Sequence, residues 1–299
     1  MSAVGNPPSD GSPSPTVIQW VLDTRTLWPE AEKTGDLPRV ASRALSLLTE
    51  EEKTKVLKFY FVKDAKLTLG SILLKRHVIS RFCPGVSWDA ATPVLDARSK
   101  PVFLLPDGTQ PVLFNVSHQA GLVVLLGVHA PPPGLAVGVD VVCQAERADR
   151  DVRTITTQGW PHYVDIHSQV FSPGEVRALT TLPFADNQRR LAYFYSIWCL
   201  REAYLKMTGD ALVAPWLCDL EIRGFAPPGE EPAEGLQVYF QGKKVDGVDV
   251  RLEKLLGEYM VSTVVREGEG GRGVELGEFE SLDIDSVLAA AEASRRTAA

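Results

Sequence analysis

Residues 112–143, VLFNVSHQAGLVVLLGVHAPPPGLAVGVDVVC, decide how this chain folds. Three strand-like runs, VLFNVSH, GLVVLLGVH and LAVGVDVV, follow one another, and Pro131-Pro132-Pro133-Gly134 separates the last two. Within the first run Asn115, Ser117, His118 and Gln119 form a polar centre among apolar neighbours. A catalytic Ser-His pair, a glycosylated asparagine and a ligand-binding turn are three readings of it. Neighbours on a strand point to opposite faces, so His118 is badly placed to activate Ser117. No GxSxG elbow surrounds the serine. Two readings remain open on this stretch alone: donors for an anion at a strand end, or a structural histidine capping a turn.

Working outward, VIQWVLD at 17–23 reads as a first strand. Thr49 and Glu52 form a capping box that opens a helix to about Phe61, and an apolar-periodic stretch runs from Ala65 to Phe82. Pro84-Gly85 stops it. Ser172, Pro173 and Glu175 mark a second helix start, with Phe171 facing Val176 as a hydrophobic staple. A long helix follows from about Asn187 to Met207 and ends at Gly209. LQVYFQ and YMVSTVV are strand-like, and IDSVLAAAEASRR reads as a short surface helix that frays. Helices and strands are mixed rather than strictly alternating, which predicts an α+β fold. No internal sequence repeat is visible, and a boundary near residues 131–135 splits the chain into halves.

The chain has 299 residues and a formal charge of −7, enough length for one large or two medium cores. That charge argues against non-specific nucleic-acid binding, which needs a basic surface. Cys83, Cys143, Cys199 and Cys218 are widely spaced without a CxxC pair, as expected of buried thiols in a reducing compartment. The Ser/Pro/Gly-rich residues 1–15 read as a disordered leader, with no secretory signal. No apolar run approaches the roughly 18 residues of a membrane span, so a cytoplasmic location is expected.

Two further segments carry chemistry. In Val137-Gly138-Val139-Asp140-Val141-Val142 the aspartate lies on an apolar strand, where it needs a partner or a metal, and Gly138 leaves room for a ligand. Equally, Asp140 could be a cap at an exposed strand end. Trp198, Glu202 and Lys206 fall at i, i+4 and i+8 and share a face of a largely apolar helix. Glu four residues before Lys is usually an exposed ion pair, but on a buried helix it needs a reason. Asp140 and Glu202 could meet around Mg²⁺ shared with phosphates, with Lys206 nearby, and His118, Lys55, Arg98 and Lys100 could hold further phosphates. No Walker A or kinase Gly-rich loop is present. His162 and His167, five apart, do not share a helical face, and no zinc site is expected there.

In order, Glu50–Phe61 with Asp64-Ala65, Arg98-Ser99-Lys100-Pro101, Phe114–Gln119, Val137–Asp140, Val170–Ser172 and Trp198–Gly209 resemble the 4′-phosphopantetheinyl transferases of the Sfp type. Lys206–Leu212 and Ala214–Leu217 look particularly like the filamentous-fungal members. The resemblance implies a pseudo-twofold pair of similar α+β subdomains: residues 16–134, then 135–285 with the metal site, then a tail at 286–299. It also implies transfer of the phosphopantetheine arm of coenzyme A to a carrier-protein serine, releasing adenosine 3′,5′-bisphosphate. Asp140 and Glu202 would bind Mg²⁺, and Lys206 would stabilise the leaving phosphate. Ser117, His118, Lys55, Arg98, Lys100 and Pro101 would hold coenzyme A. Bacterial members carry a second carboxylate two residues after the aspartate, where this chain has Val142. The implied partners are apo carrier domains of fatty-acid, polyketide, nonribosomal-peptide and aminoadipate-reductase type, served by a monomer without nucleic acid or membrane. The alternative is a non-catalytic coenzyme A or carrier-binding module. Carrier docking is expected near Arg189, Arg190 and the 143–170 connection.

Overall fold

The run Leu122–Val128 is apolar at every position except Gly127 because both of its faces are covered. The structure, a computed structural model, describes residues 14–210, 214–230 and 235–298. Nearly all of the leader expected at 1–15 lies outside them, as do Ala211 and Leu212. The N-terminal half contains β1 (Thr16–Asp23), the short helices α1 (Leu37–Val40) and α2 (Ser42–Ser46), α3 (Glu50–Leu57) and α4 (Val62–Phe82). The two-residue strands β2 (Val94–Leu95) and β3 (Pro101–Val102) follow, then β4 (Val112–Gln119) and β5 (Leu122–His129). The second half contains β6 (Ala136–Cys143), α5 (Ala148–Gln158), α6 (Trp160–Asp165), α7 (Pro173–Thr180) and α8 (Asn187–Thr208). It continues with β7 (Leu220–Arg223), β8 (Gln237–Phe240), β9 (Lys243–Lys244), β10 (Val248–Leu255) and β11 (Tyr259–Arg266). β12 (Glu280–Ser281) and α9 (Ile284–Ala298) close the chain.

The halves repeat one topology. In each, a strand leads to a capped short helix, a long helix and a hairpin, and the first strand pairs antiparallel with the hairpin's second strand. The orders are β1-β5-β4 and β6-β11-β10. Leu122, Val124, Leu126 and Val128 of β5 pack on Val137, Val139 and Val141 of β6 and Val261 of β11, which joins the halves. Val123 and Leu125 face the other way, into a core with Leu74 and Val78 of α4. Each such side chain contributes about 1.5–3 kcal/mol by leaving water. A charge at Val124 would therefore break the joint between the sheets.

Both capping boxes form. Thr49 Oγ1 accepts from the Glu52 N–H at 3.2 Å, and Ser172 Oγ accepts from the Glu175 N–H at 3.1 Å. α3 ends at Leu57, before the predicted Phe61, and α4 begins at Val62. Each capping glutamate also accepts from a buried arginine on the long helix, Arg76 at 2.9 Å and Arg201 at 2.7 Å. Gly138 is not a ligand opening. A Cβ there would lie 2.0 Å from the Ala203 carbonyl and 2.5 Å from the Met207 nitrogen, so the glycine lets α8 lie directly on β6.

The C-terminal segment returns to the first half. β12 pairs parallel with β1, and Val287, Leu288 and Ala291 of α9 are buried against Leu69, Leu73 and Trp88. The fraying surface helix expected for IDSVLAAAEASRR is corrected. Its short apolar stripe finds a ready face on α4, and Arg43 pairs with Asp285 and Glu292 across the join. The outer strand β10, with alternating charges, and the helices α5 and α6 went unread in the sequence. Cys83, Cys143 and Cys199 are buried free thiols, but Cys218 is exposed rather than buried. No helix among the described residues is long and apolar enough to cross a membrane.

Candidate functional site

The polar residues of FNVSHQ join two sheet edges. Asn115, Ser117 and Gln119 alternate along β4 and so share one side of it. Their oxygens accept from the backbone N–H groups of Val139 (3.0 Å), Val141 (3.4 Å) and Cys143 (3.3 Å) on β6. Buried edge donors must be paired, and here side chains do what a ladder would otherwise do. Asn115 is thereby buried, so its sequon offers no acceptor for a glycan.

The seam delivers Ser117 to Asp140. Ser117 Oγ donates to Asp140 Oδ1 at 2.7 Å, and Lys206 Nζ donates to Asp140 Oδ1 at 2.6 Å and to Ser117 Oγ at 2.7 Å. Lys206 arrives from α8, one turn beyond Glu202. Glu202 forms no hydrogen bond or ion pair among the described residues. Burial raises its pKa, the nearby Asp140 charge raises it further, and Lys206 opposes both. These groups line a cavity of about 420 Å³. Asp151, Tyr163, Tyr195 and Trp198 line it as well. The Tyr195 hydroxyl donates to Asp151, and both tyrosines are held protonated by burial and by that carboxylate.

His118 points away from the seam, as strand alternation requires. Its ring reaches solvent, yet the protein around its base and the Lys206 charge press its pKa below the ordinary value. It is a neutral imidazole that an anion would charge. Lys75 of α4 is near enough to oppose the protonation of His118. Its own pKa is lowered by burial, Glu52 opposing and Lys55 adding to the shift.

Of the residues expected from the sequence, Ser117, His118, Asp140, Glu202 and Lys206 come together in one cavity. Lys55, Arg98, Lys100 and Pro101 do not line it. Lys55 pairs with Glu51 on α3 at 2.8 Å. Arg98 donates to the Thr208 carbonyl at 2.6 Å, beyond the end of the α8 seat. Lys100 Nζ lies 3.3 Å from the Val137 carbonyl and 3.4 Å from that of Met207, and burial lowers its pKa. Pro101 sits half-buried in β3. His167 Nδ1 faces the Tyr163 carbonyl at 2.7 Å. Lys75, Asp151, Tyr163 and Tyr195 were missed. Tyr195 extends the stripe Trp198, Glu202, Lys206 by one more helical step, a signal that the sequence did contain; a lysine beside Arg76 carries none.

No group of three His, Cys, Asp or Glu side chains suited to a metal occurs among the described residues. Val142, two residues past Asp140, is buried against the α5–α8 core and supplies no oxygen. Asp140 and the unpartnered Glu202 nevertheless suit Mg²⁺, which takes one or two carboxylates and completes its shell from water and substrate phosphates.

The chain matches the family models for the "4′-phosphopantetheinyl transferase, N-terminal" region over residues 38–130 and for the "4′-phosphopantetheinyl transferase superfamily" over 136–242. It is 60% identical to 4′-phosphopantetheinyl transferase 1 of Fusarium mangiferae, over 93% of this chain and 96% of that protein. It is 31% identical to 4′-phosphopantetheinyl transferase NpgA of Emericella nidulans, over 87% and 85%. To the L-aminoadipate-semialdehyde dehydrogenase-phosphopantetheinyl transferase of Schizosaccharomyces pombe it is 26% identical, over 66% and 69%.

Proposed function

We infer how the cleft works from the premise that the chain belongs to the 4′-phosphopantetheinyl transferase superfamily. The enzyme moves the phosphopantetheine arm of coenzyme A to a serine of a carrier domain. The serine oxygen forms a bond to the pantetheine-side phosphorus, the diphosphate bridge breaks, and adenosine 3′,5′-bisphosphate leaves. Phosphoryl transfer of this kind is mostly positioning and charge stabilisation. The observation that carries the reading is the convergence of Asp140, Glu202 and Lys206 on one cavity wall.

Lys206 has three N–H donors and spends two on Asp140 and Ser117. The third remains for an oxygen of the departing phosphate. Glu202, unpartnered among the described residues, would take the serine proton where it is free of the metal; as a metal ligand it would be a weak base, and a water beside it would serve instead. Asp140 and Glu202 would hold Mg²⁺, which neutralises diphosphate charge when bound. His118, with Lys75 close enough to act on its charge, would hold the nucleotide end, and that role extends to Lys55, Arg98, Lys100 and Pro101 on the resemblance alone. The reading covers carrier domains of several pathways, an aminoadipate-reductase type included.

The test is incubation of the enzyme with apo carrier domains, coenzyme A and Mg²⁺, read by intact mass. One added phosphopantetheine is expected. No adduct on any of several carriers, with folded enzyme, rejects the reading.

A further inference from the structure

Two features beside the catalytic cavity have no part in the chemistry above. The first is a ledge at the α3–α4 junction. Tyr60 and Phe61 are 87% and 57% exposed, and their rings stand edge to face with centroids 4.9 Å apart. Leu57, one turn earlier, is exposed as well. Scattered surface hydrophobics are ordinary, but adjacent large side chains left in water mark contact sites.

The second feature is a cavity of about 520 Å³ between the halves, walled in part by Lys63, Lys66, Glu146 and Tyr259. Lys66 is only 8% exposed, and its ammonium pairs with no group among the described residues. Its stem is covered while the ammonium reaches the water of the cavity, where an incoming carboxylate can pair with it. Lys63 meets Glu146 only at 3.8 Å, a loose pairing open to competition.

The two features are continuous. Val62 and Lys63 belong to both the inter-half cavity and the hollow beneath Tyr60 and Phe61, which Lys33 also lines. Glu146 belongs to both the inter-half cavity and the catalytic cavity. The path thus runs from the catalytic wall through Lys63 and Lys66 to an apolar ledge. Of the alternatives considered from the sequence, the 143–170 connection places Arg147 and Arg150 in the catalytic cavity itself, and the two arginines of α8 are engaged. Arg189 pairs with Glu230 at 3.0 Å and lies over Phe184, and Arg190 lies over Trp160.

We propose that an acidic carrier domain docks on this surface, with apolar side chains of an amphipathic helix on Tyr60 and Phe61 and its carboxylates toward Lys33, Lys63 and Lys66. The proposal rests on the transferase reading, which supplies the partner. An enzyme of charge −7 repels an acidic carrier domain at long range. Docking therefore leans on an apolar anchor, which the ledge supplies, with Lys33, Lys63 and Lys66 as local cations set among Glu32, Glu146 and Glu258. Continuity with the catalytic cavity brings the carrier serine to Glu202.

The test compares wild-type enzyme with Tyr60→Ser/Phe61→Ser and Lys33→Glu/Lys63→Glu, on one carrier domain that the wild type modifies. The expected result is a KM for the carrier raised about tenfold or more in each, as for loss of an anchor. The KM for coenzyme A and kcat at saturating carrier stay within about twofold, inside the range of a site left intact. Coenzyme A binding by calorimetry checks that each variant is folded. As a second route, a photo-crosslinking benzoylphenylalanine at position 61 is expected to capture the carrier in otherwise native enzyme. Unchanged carrier KM in both variants, or crosslinking from position 189 and none from 61, overturns the proposal. Failure of the wild type to modify any carrier would instead refute the transferase reading, so the two failures are distinct.

Discussion

The two halves use the same scaffold and place opposite charges on it. In each, a capping-box glutamate at the start of a short helix accepts from a buried arginine on the following long helix, Glu52 with Arg76 and Glu175 with Arg201. Each arginine also donates to a carbonyl of the segment that follows its helix, Trp88 in one half and Leu220 in the other. The residues flanking the arginine then differ. In the first half the residue before it is Lys75, near His118, where the second half has Leu200; in the second half the residue after it is Glu202, near Asp140, where the first half has His77. A repeated device ties each long helix to the helix before it, and the two positions flanking the arginine give one half a lysine and the other a carboxylate. The comparison teaches that the scaffold is duplicated and the chemistry is divided.

The strongest way to break the comparison is on the acidic side. Asp140→Ala and Glu202→Ala are each expected to lower carrier modification by about 10³-fold or more, as for loss of a group acting in the transition state. Thermal melts should stay within a few degrees. Robust turnover in either variant would mean that the acidic half does not carry the chemistry.

The paired arginines come next. Arg201→Met should destabilise by about 3–5 kcal/mol in chemical denaturation, because it strands a buried carboxylate. Arg76→Met should cost less, since the Glu52 side chain is 12% exposed and that of Glu175 is 1% exposed. The reverse order would show that the two devices are not equivalent. Ser117→Ala removes the hydroxyl between Asp140 and Lys206. It should lower kcat by about 10–100-fold, the usual loss when a group orienting a metal ligand is removed. A kcat matching the wild type would reduce Ser117 to a structural member of the seam.

The smallest effect is on stability. Glu202 has a raised pKa when folded, so the folded state binds its proton more tightly than the unfolded state. Stability attributable to this group is present below its ordinary value of 4.5 and lost as pH rises through the folded value. Glu202→Gln should therefore melt higher than wild type at pH 8, with the advantage shrinking as the pH falls toward 4.5. No difference between pH 8 and acid would contradict the raised pKa.

What could be read from the sequence follows the range of the interactions. Both capping boxes and the Gly209 terminus were legible because their partners lie within a few residues. Asp140, Glu202 and Lys206 stood out because charge on an apolar strand or helix is exceptional. The seam was not legible. Asn115 and Gln119 bond backbone groups 24 residues away, and only the meeting of two sheet edges shows it. Gly138 shows a different limit, because a missing Cβ serves a ligand or a crossing helix equally well. The repeat of β1-β5-β4 in β6-β11-β10 lies in strand order, and its matching residues, a capping glutamate and a buried arginine in each half, are too few and too far apart in the chain to reveal it.

The division of labour between the halves is tested most directly by one ratio, kcat/KM for coenzyme A over that for dephospho-coenzyme A, which lacks the 3′-phosphate. Measured for wild type, Lys75→Ala/His118→Ala and a weakly active Glu202→Gln, the account predicts a high ratio in wild type and Glu202→Gln. In the Lys75/His118 variant the ratio should collapse toward one. A ratio that survives in that variant, or collapses in Glu202→Gln, would contradict the account.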